Sequence, residues 1–108
     1  MKVLLTEDDD KLRGELARFF QMHGYETREI TDYKNAVEKI CCAGGDILLL
    51  DLSLPDADGK YICRELRKRS DLPVLIITSQ DTEMNELLCL NYGADDFIAK
   101  PFNPQILL

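Results

Sequence analysis

Tryptophan is absent from this sequence, histidine occurs once (His23), and aromatic residues make up only 7%, so any core must be built mainly from aliphatic side chains. No apolar stretch approaches the ~20 residues that a membrane-spanning helix needs; Ile47–Leu50 and Val74–Ile77 are among the longest. No secretory leader is visible at the start. Cysteine is scarce and badly placed for a metal: Cys41 and Cys42 are adjacent, Cys63 and Cys89 stand apart, and none forms a C-x-x-C pair. A single histidine argues against a zinc site, and four thiols inside helical patterns suit a reducing cytoplasm better than a disulfide framework. Basic residues are outnumbered 13 to 20, giving a formal net charge of −7, which argues against direct contact with nucleic acid. Repeats, low-complexity segments and linkers are missing too, so the 108 residues read as one domain, 1–108.

What is present is a strict alternation. Val3–Thr6, Tyr25–Ile30, Ile47–Leu50, Val74–Thr78 and Phe97–Ala99 read as strands. The third and fourth are continuous aliphatic runs, as in strands covered on both faces, whereas the second alternates in polarity, as an edge strand does. Between them lie helical stripes. Leu12, Leu16, Phe19, Phe20 and His23 form the first, and Tyr33, Ala36, Val37, Ile40 and Cys41 the second. Ile62, Cys63 and Leu66 make a third, and Met84, Leu87, Leu88 and Leu90 a fourth, with Asp81 or Thr82 as its N-cap. Gly24, Gly44-Gly45 and Gly93 stop helices, and a last helix opens at Asn103, cut short at Leu108. Such alternation predicts a parallel sheet with helical crossovers, whose functional residues sit just beyond the carboxyl ends of strands.

Glu7-Asp8-Asp9-Asp10 follow the first strand, Asp51 the third, Thr78 and Ser79 the fourth, and Lys100-Pro101 the fifth. Acids gathered at one edge repel one another, and a hard divalent cation relieves the repulsion. Mg²⁺ suits the set: Asp8 and Asp51 as direct ligands, the Ser53 backbone carbonyl as a third, and Glu7 acting through water. Asp9 and Asp10 are better read as acids favoured by a helix N-terminus. Asp51 ends a buried run, where an acid is costly unless paired or metal-bound. A metal-bound carboxylate facing an anionic phosphodonor is a nucleophile that forms an aspartyl phosphate. Lys100 is the cation that shares the charge of the transferring oxygens, aimed by Pro101, and Thr78 supplies a hydroxyl.

Together, Glu7-Asp8, Asp51 in L-L-L-D-L-S-L-P-D-A-D-G, Thr78 in P-V-L-I-I-T-S and Lys100 in G-A-D-D-F-I-A-K-P-F resemble the receiver domain of two-component response regulators. The resemblance covers essentially the whole chain, and the strings G-A-D-D-F and K-P-F-N-P are most similar to the OmpR/PhoB subfamily. It implies a flavodoxin-like doubly wound α/β fold with a five-stranded parallel sheet in the order 2-1-3-4-5. It implies that Asp51 takes a phosphoryl group from a sensor histidine kinase, that Asp8 binds Mg²⁺, and that Lys100 and Thr78 contact the phosphoryl group. Phe97 matches the switch aromatic that moves inward when Thr78 moves toward phosphate. The protein is then a cytoplasmic signalling phosphoacceptor, not a turnover enzyme, catalysing only its own phosphorylation and slow dephosphorylation. Its output is transcription regulation through an effector domain absent from this chain.

Other readings fit less well. A haloacid-dehalogenase-type phosphatase needs a second Asp two positions after the nucleophile, where this sequence has Ser53. A flavodoxin must cradle a phosphate with its first loop, which four acids oppose. A stand-alone receiver acting by protein–protein interaction remains the alternative output. In the subsidiary matter of assembly, the resemblance implies that activated full-length regulators dimerise through the fourth helix, fifth strand and fifth helix. Asp95 and Asp96 fit the acidic part of that contact. Glu86 stands where the subfamily usually has a positive charge, and the basic partners fall beyond Leu108, so this chain alone is expected to be monomeric.

Overall fold

The two aliphatic runs become the middle of a sheet. The computed structural model describes residues 1–54, 57–78, 90–91 and 93–100. In chain order the elements are β1 (Lys2–Thr6), α1 (Asp10–Met22), β2 (Glu26–Glu29), α2 (Ala36–Cys42), β3 (Ile47–Asp51), β4 (Ser53–Leu54), β5 (Ala57–Asp58), α3 (Gly59–Arg67), β6 (Val74–Thr78) and β7 (Asp96–Ala99). Five strands pair in the order β2-β1-β3-β6-β7, every neighbour parallel. The two-residue strands β4 and β5 form a separate antiparallel ribbon that has no signature in the sequence. With the ribbon set aside, the order is the expected 2-1-3-4-5, and the fold is flavodoxin-like.

Strand alternation divides the aliphatic residues between two faces. Leu4, Leu48, Leu50, Val74 and Ile76 pack with Ala36 and Ile40 of α2 and with Ile62, Cys63 and Leu66 of α3. Val3, Leu5, Leu49, Leu75 and Ile77 pack on the other face with Leu16, Ala17 and Phe20 of α1. Burying a Leu or Phe of this kind stabilises the fold by about 2 kcal/mol. The edge strand β2 is largely exposed, as its alternating polarity predicts.

Asp9 caps α1, its Oδ1 accepting from the N–H groups of Lys11 and Leu12 at 3.0 and 3.2 Å. Past His23 the chain turns at Gly24 with φ at +86°, a conformation that favours glycine. The second helix departs from expectation. It begins at Ala36, and Tyr33 lies in the preceding loop. Asp32 Oδ1 accepts from the Lys34 N–H at 3.1 Å, and Asn35 is left-handed at φ +56°, so the turn breaks the helical path. Tyr33 is nevertheless buried, which is why it imitates the helix stripe. Leu90 and Asn91 are helical. The rest of the fourth stripe (Met84, Leu87, Leu88), its proposed caps Asp81 and Thr82, Glu86, Cys89, Ser79, Pro101 and the helix from Asn103 to Leu108 lie outside the described residues. Among the described residues no helix is long and apolar enough to cross a membrane.

At the amino edge of the sheet, one guanidinium joins three segments. Arg67, at the end of α3, donates through Nε to the Gly93 carbonyl at 2.7 Å and through Nη1 to the carbonyls of Ser70 and Leu72. Its Nη2 meets Asp95 Oδ2 at 3.0 Å, and the same oxygen accepts from the Val74 N–H at 2.8 Å. Asp95, assigned from sequence to a contact between molecules, is thus already bonded within the chain. Gly93, at φ +100°, lies against the Arg67 stem, where an added Cβ would stand 2.4 Å from Cγ. Charge-assisted bonds to several part-buried carbonyls are strong. Arg67→Ala is therefore expected to destabilise the protein by about 2 kcal/mol in urea denaturation. Lys68→Ala, which removes an exposed i,i+3 pair with Glu65, should change stability by less than about 0.5 kcal/mol. Equal effects of the two would show that Arg67 is an ordinary surface residue.

Candidate functional site at the carboxyl edge of the sheet

The register of the sheet gathers the predicted residues. Thr6 lies opposite Leu50, Asp51 opposite Ile77, and Thr78 opposite Ala99. Glu7, Asp51, Thr78 and Lys100 therefore stand at the carboxyl ends of four successive strands. The Lys100 N–H donates to the Thr78 carbonyl at 2.8 Å, which carries the β6–β7 pairing to the edge.

Lys100 Nζ lies 2.6 Å from Glu7 Oε1 and 3.3 Å from Asp51 Oδ2. Both acids are buried, Glu7 at 1% relative exposure and Asp51 at 5%, so this ammonium is no surface lysine in passing contact. Burial raises the Glu7 carboxyl above its ordinary value of 4.5; the Lys100 hydrogen bond opposes that rise and the Asp51 charge adds to it. Burial also opposes the charge on Lys100, but the Glu7 hydrogen bond and the Asp51 charge outweigh it and raise its pKa above 10.5. Among the described residues Glu7 Oε2 is buried with no hydrogen-bond partner, an unsatisfied acceptor.

The other predicted residues divide. Thr78 is fully buried at the end of β6. Phe97 lies opposite Ile76 in β7 and packs, partly buried, on the same face. Alternation along β6 places Thr78 on that face too. Asp8 is exposed just past the strand. Asp9 is the α1 cap, and Asp10 pairs with Arg13, the helix-terminus roles read from sequence. Ser53 opens β4, two residues after Asp51.

Three residues went unnoticed in the sequence. Arg13 Nη1 and the Tyr33 hydroxyl both donate to the Glu7 backbone carbonyl, at 2.8 and 3.1 Å. Arg13 looked like a polar-face helix residue and Tyr33 like part of an apolar stripe, so neither pointed to the site. Gly59 begins α3 directly behind Asp51: an added Cβ would lie 2.4 Å from the Asp51 carbonyl oxygen and 2.7 Å from Leu52 Cα. Its signal was the glycine after Asp58, a spacing that reads equally well as an ordinary turn.

The donors present fit a hard divalent cation. They are carboxylate oxygens, one of them buried and without a partner among the described residues. No three His, Cys, Asp or Glu side chains among the described residues stand close enough to hold an ion between them. Carboxylate oxygens at this edge suit an ion that takes one or two carboxylates and keeps other positions for a carbonyl, water or phosphate oxygens, as Mg²⁺ does.

Comparison with known proteins identifies the family. The response regulator receiver domain family matches residues 3–108. The chain belongs to that family. Sensory transduction protein RegX3 of Mycobacterium tuberculosis is 39% identical over 106 residues, 98% of this receiver and 47% of that protein. Transcriptional regulatory protein YxdJ of Bacillus subtilis is 34% identical over 107 residues, 99% of this receiver and 47% of that protein. The receiver thus spans about half the length of the curated relatives it matches, which are regulators of the OmpR/PhoB type. Among solved structures, the BeF3-activated receiver domain of Klebsiella pneumoniae RstA superposes with a TM-score of 0.92 at 34% identity, covering 99% of this chain and 92% of that one.

The ion pairs define a pH test. Lys100→Met should leave Glu7 and Asp51 facing each other without a cation, destabilising the metal-free receiver by about 3 kcal/mol at pH 7–8. Without the lysine, burial and the Asp51 charge raise the Glu7 carboxyl further, so folding is penalised wherever Glu7 must ionise. That penalty is present above the raised folded pKa and disappears as pH falls below the unfolded value of 4.5. Thermal melts of wild type and variant should therefore converge in acid and diverge at neutral pH. A gap independent of pH would show that the loss is one of packing only.

Proposed function

We propose that this receiver accepts a phosphoryl group on Asp51 from a sensor histidine kinase, with Mg²⁺, and passes the change to an output domain. The observation that supports this most is the buried Asp51 at the carboxyl end of β3, held 3.3 Å from the Lys100 ammonium, which also grips Glu7. An Asp51 carboxylate oxygen attacks phosphorus, forming the acyl phosphate O–P bond. The P–N bond to the kinase imidazole breaks, and its electron pair returns to the ring nitrogen. Lys100 stands beside Asp51 to balance charge on the transferring oxygens. Asp8, Asp51 and the Ser53 carbonyl would hold Mg²⁺, with Glu7 acting through water; when bound, the ion neutralises charge on the incoming phosphoryl oxygens. Hydrolysis of the acyl phosphate by water resets the domain slowly, so the protein is a phosphoacceptor and not a turnover enzyme.

The switch runs through Thr78 and Phe97. Thr78 moves toward the phosphoryl oxygens and leaves space on the face it shares with Phe97, biasing a two-state equilibrium. The likeness to RegX3, a sensory transduction protein, and to YxdJ, a transcriptional regulatory protein, supports a DNA-binding output through a domain outside this chain, in the cytoplasm. Dimerisation on activation belongs to that longer regulator.

Intact mass after treatment with Mg²⁺ and acetyl phosphate is expected to show one added phosphoryl group, and Asp51→Asn should show none. Equal labelling of the two would remove Asp51 from its role. Beryllofluoride, the activator in the RstA domain, serves as the stable mimic for the switch. Thr78→Ala should still be labelled, but its Phe97 NMR signals should move much less than those of wild type when the mimic binds. Identical shifts in both proteins would exclude Thr78 as the coupling residue.

A further inference from the structure

We propose that Arg13 and Tyr33 are positioning residues that clamp the Glu7–Asp8 peptide and so aim the Asp8 carboxylate at the divalent cation. The inference rests on the metal-assisted reading above. β1 ends at Thr6, so beyond that residue the sheet no longer fixes the backbone. The next carbonyl, that of Glu7, instead accepts from two side chains on different elements: Arg13 Nη1 of α1 at 2.8 Å and the Tyr33 hydroxyl of the β2–α2 loop at 3.1 Å. A carbonyl oxygen has two lone pairs, and these donors occupy both.

The clamp acts on one particular peptide. A peptide unit is planar and rigid, so fixing its oxygen fixes the plane that links Cα of Glu7 to Cα of Asp8. The Glu7 side chain is already held by Lys100. Asp8 is exposed, so the backbone decides where its carboxylate points. Rotation of the peptide plane would swing it, and the two donors oppose that rotation. With both lone pairs engaged, the Glu7 carbonyl also does not compete with the carboxylates for the ion.

The clamp is itself braced. Arg13 Nε bonds Glu29 Oε1 of β2 at 3.1 Å, and Nη2 bonds Asp10. Asp10 is 89% exposed and Glu29 43% exposed, so neither ion pair adds much stability. What they do is hold a mostly buried guanidinium in one orientation. Tyr33 is anchored by packing in the core below α2. An unsatisfied buried carbonyl would account for one donor. Two donors, braced from β2 and from the core, converging on the peptide between the two acids point to placement of the acids.

The test compares Tyr33→Phe, which removes one hydroxyl and little volume, with Arg13→Ala, Arg13→Lys and the exposed-residue control Arg18→Ala, all in the full 108-residue chain. Mg²⁺ alone is titrated and followed by calorimetry and by amide NMR, with thermal melts in parallel. Losing one hydrogen bond of ordinary strength corresponds to roughly a fivefold change in an equilibrium constant. Tyr33→Phe and Arg13→Ala should each weaken Mg²⁺ binding about fivefold or more, with Arg13→Lys between and Arg18→Ala unchanged. In metal-free protein, the Glu7 carbonyl ¹³C shift should move in Tyr33→Phe. At saturating Mg²⁺ both variants should reach the wild-type extent of acetyl phosphate labelling, which a general structural defect would not allow. Should Arg13→Ala unfold, Tyr33→Phe decides alone. Unchanged Mg²⁺ affinity in Tyr33→Phe, in a wild type that binds Mg²⁺, overturns the inference and leaves the proposed function standing. A wild type that binds no Mg²⁺ overturns both.

Discussion

Two carboxylates, Glu7 and Asp51, are nearly shut off from water at the ends of neighbouring strands, and one ammonium stands between them. Without Lys100 the arrangement would be self-defeating, since burial and the Asp51 charge both push the Glu7 carboxyl toward its protonated form. Lys100 reaches both because β7 runs parallel to β6, which brings the end of the fifth sheet strand to the same edge as the first and third. The parallel sheet, with its helical crossovers, delivers that ammonium to the acids. Among the described residues one acceptor, Glu7 Oε2, is still left over, and two carboxylates face one ammonium, so the lysine does not complete the electrostatic balance of the edge. A site with a residual demand for positive charge is well suited to a reaction that brings a cation and an anionic group together.

The backbone around the site is held more tightly than the acids alone require. Gly59 lets α3 start against the Asp51 carbonyl, at a distance where any side chain would force the strand end or the helix to move. The β1–α1 connection is bonded from α1 and from the β2–α2 loop. Thr6 adds a further tie, its Oγ1 donating to the Leu49 carbonyl at 2.9 Å across to β3. Reacting carboxylates gain little from mobility, because small misplacements are expensive in rate. At the opposite edge, Arg67 ties the end of α3 to the starts of β6 and β7.

Much of this was legible in the sequence, for definite reasons. The runs Ile47–Leu50 and Val74–Ile77 are apolar throughout because both faces of the sheet are covered, and that fixed them as central strands. The acids, Thr78 and Lys100 were visible because polar residues directly after such runs have few structural explanations. What escaped was anything that depends on where one element ends relative to another. Tyr33 has the spacing of a helix residue yet sits before the left-handed Asn35, and its hydroxyl, the part that matters, has no periodic signature. Arg13 is one basic residue among several on α1 until the fold brings Glu29 and the Glu7 carbonyl to it. The bond from Arg67 to Asp95 escaped because nothing in the string G-A-D-D-F points to an arginine so far back in the chain. The β4–β5 ribbon is too short for any pattern to register.

The exposed edge strand β2 has a bearing on how copies of this protein meet. An open parallel sheet offers its outer strand to any passing chain, and only the side chains on that strand discourage extension. Here the strand reads Glu26-Thr27-Arg28-Glu29. A second copy added antiparallel and centred would set Glu26 against Glu29 at both ends, and a parallel copy in register would set each glutamate against itself. In these two registers like charges thus oppose growth of the sheet from this side.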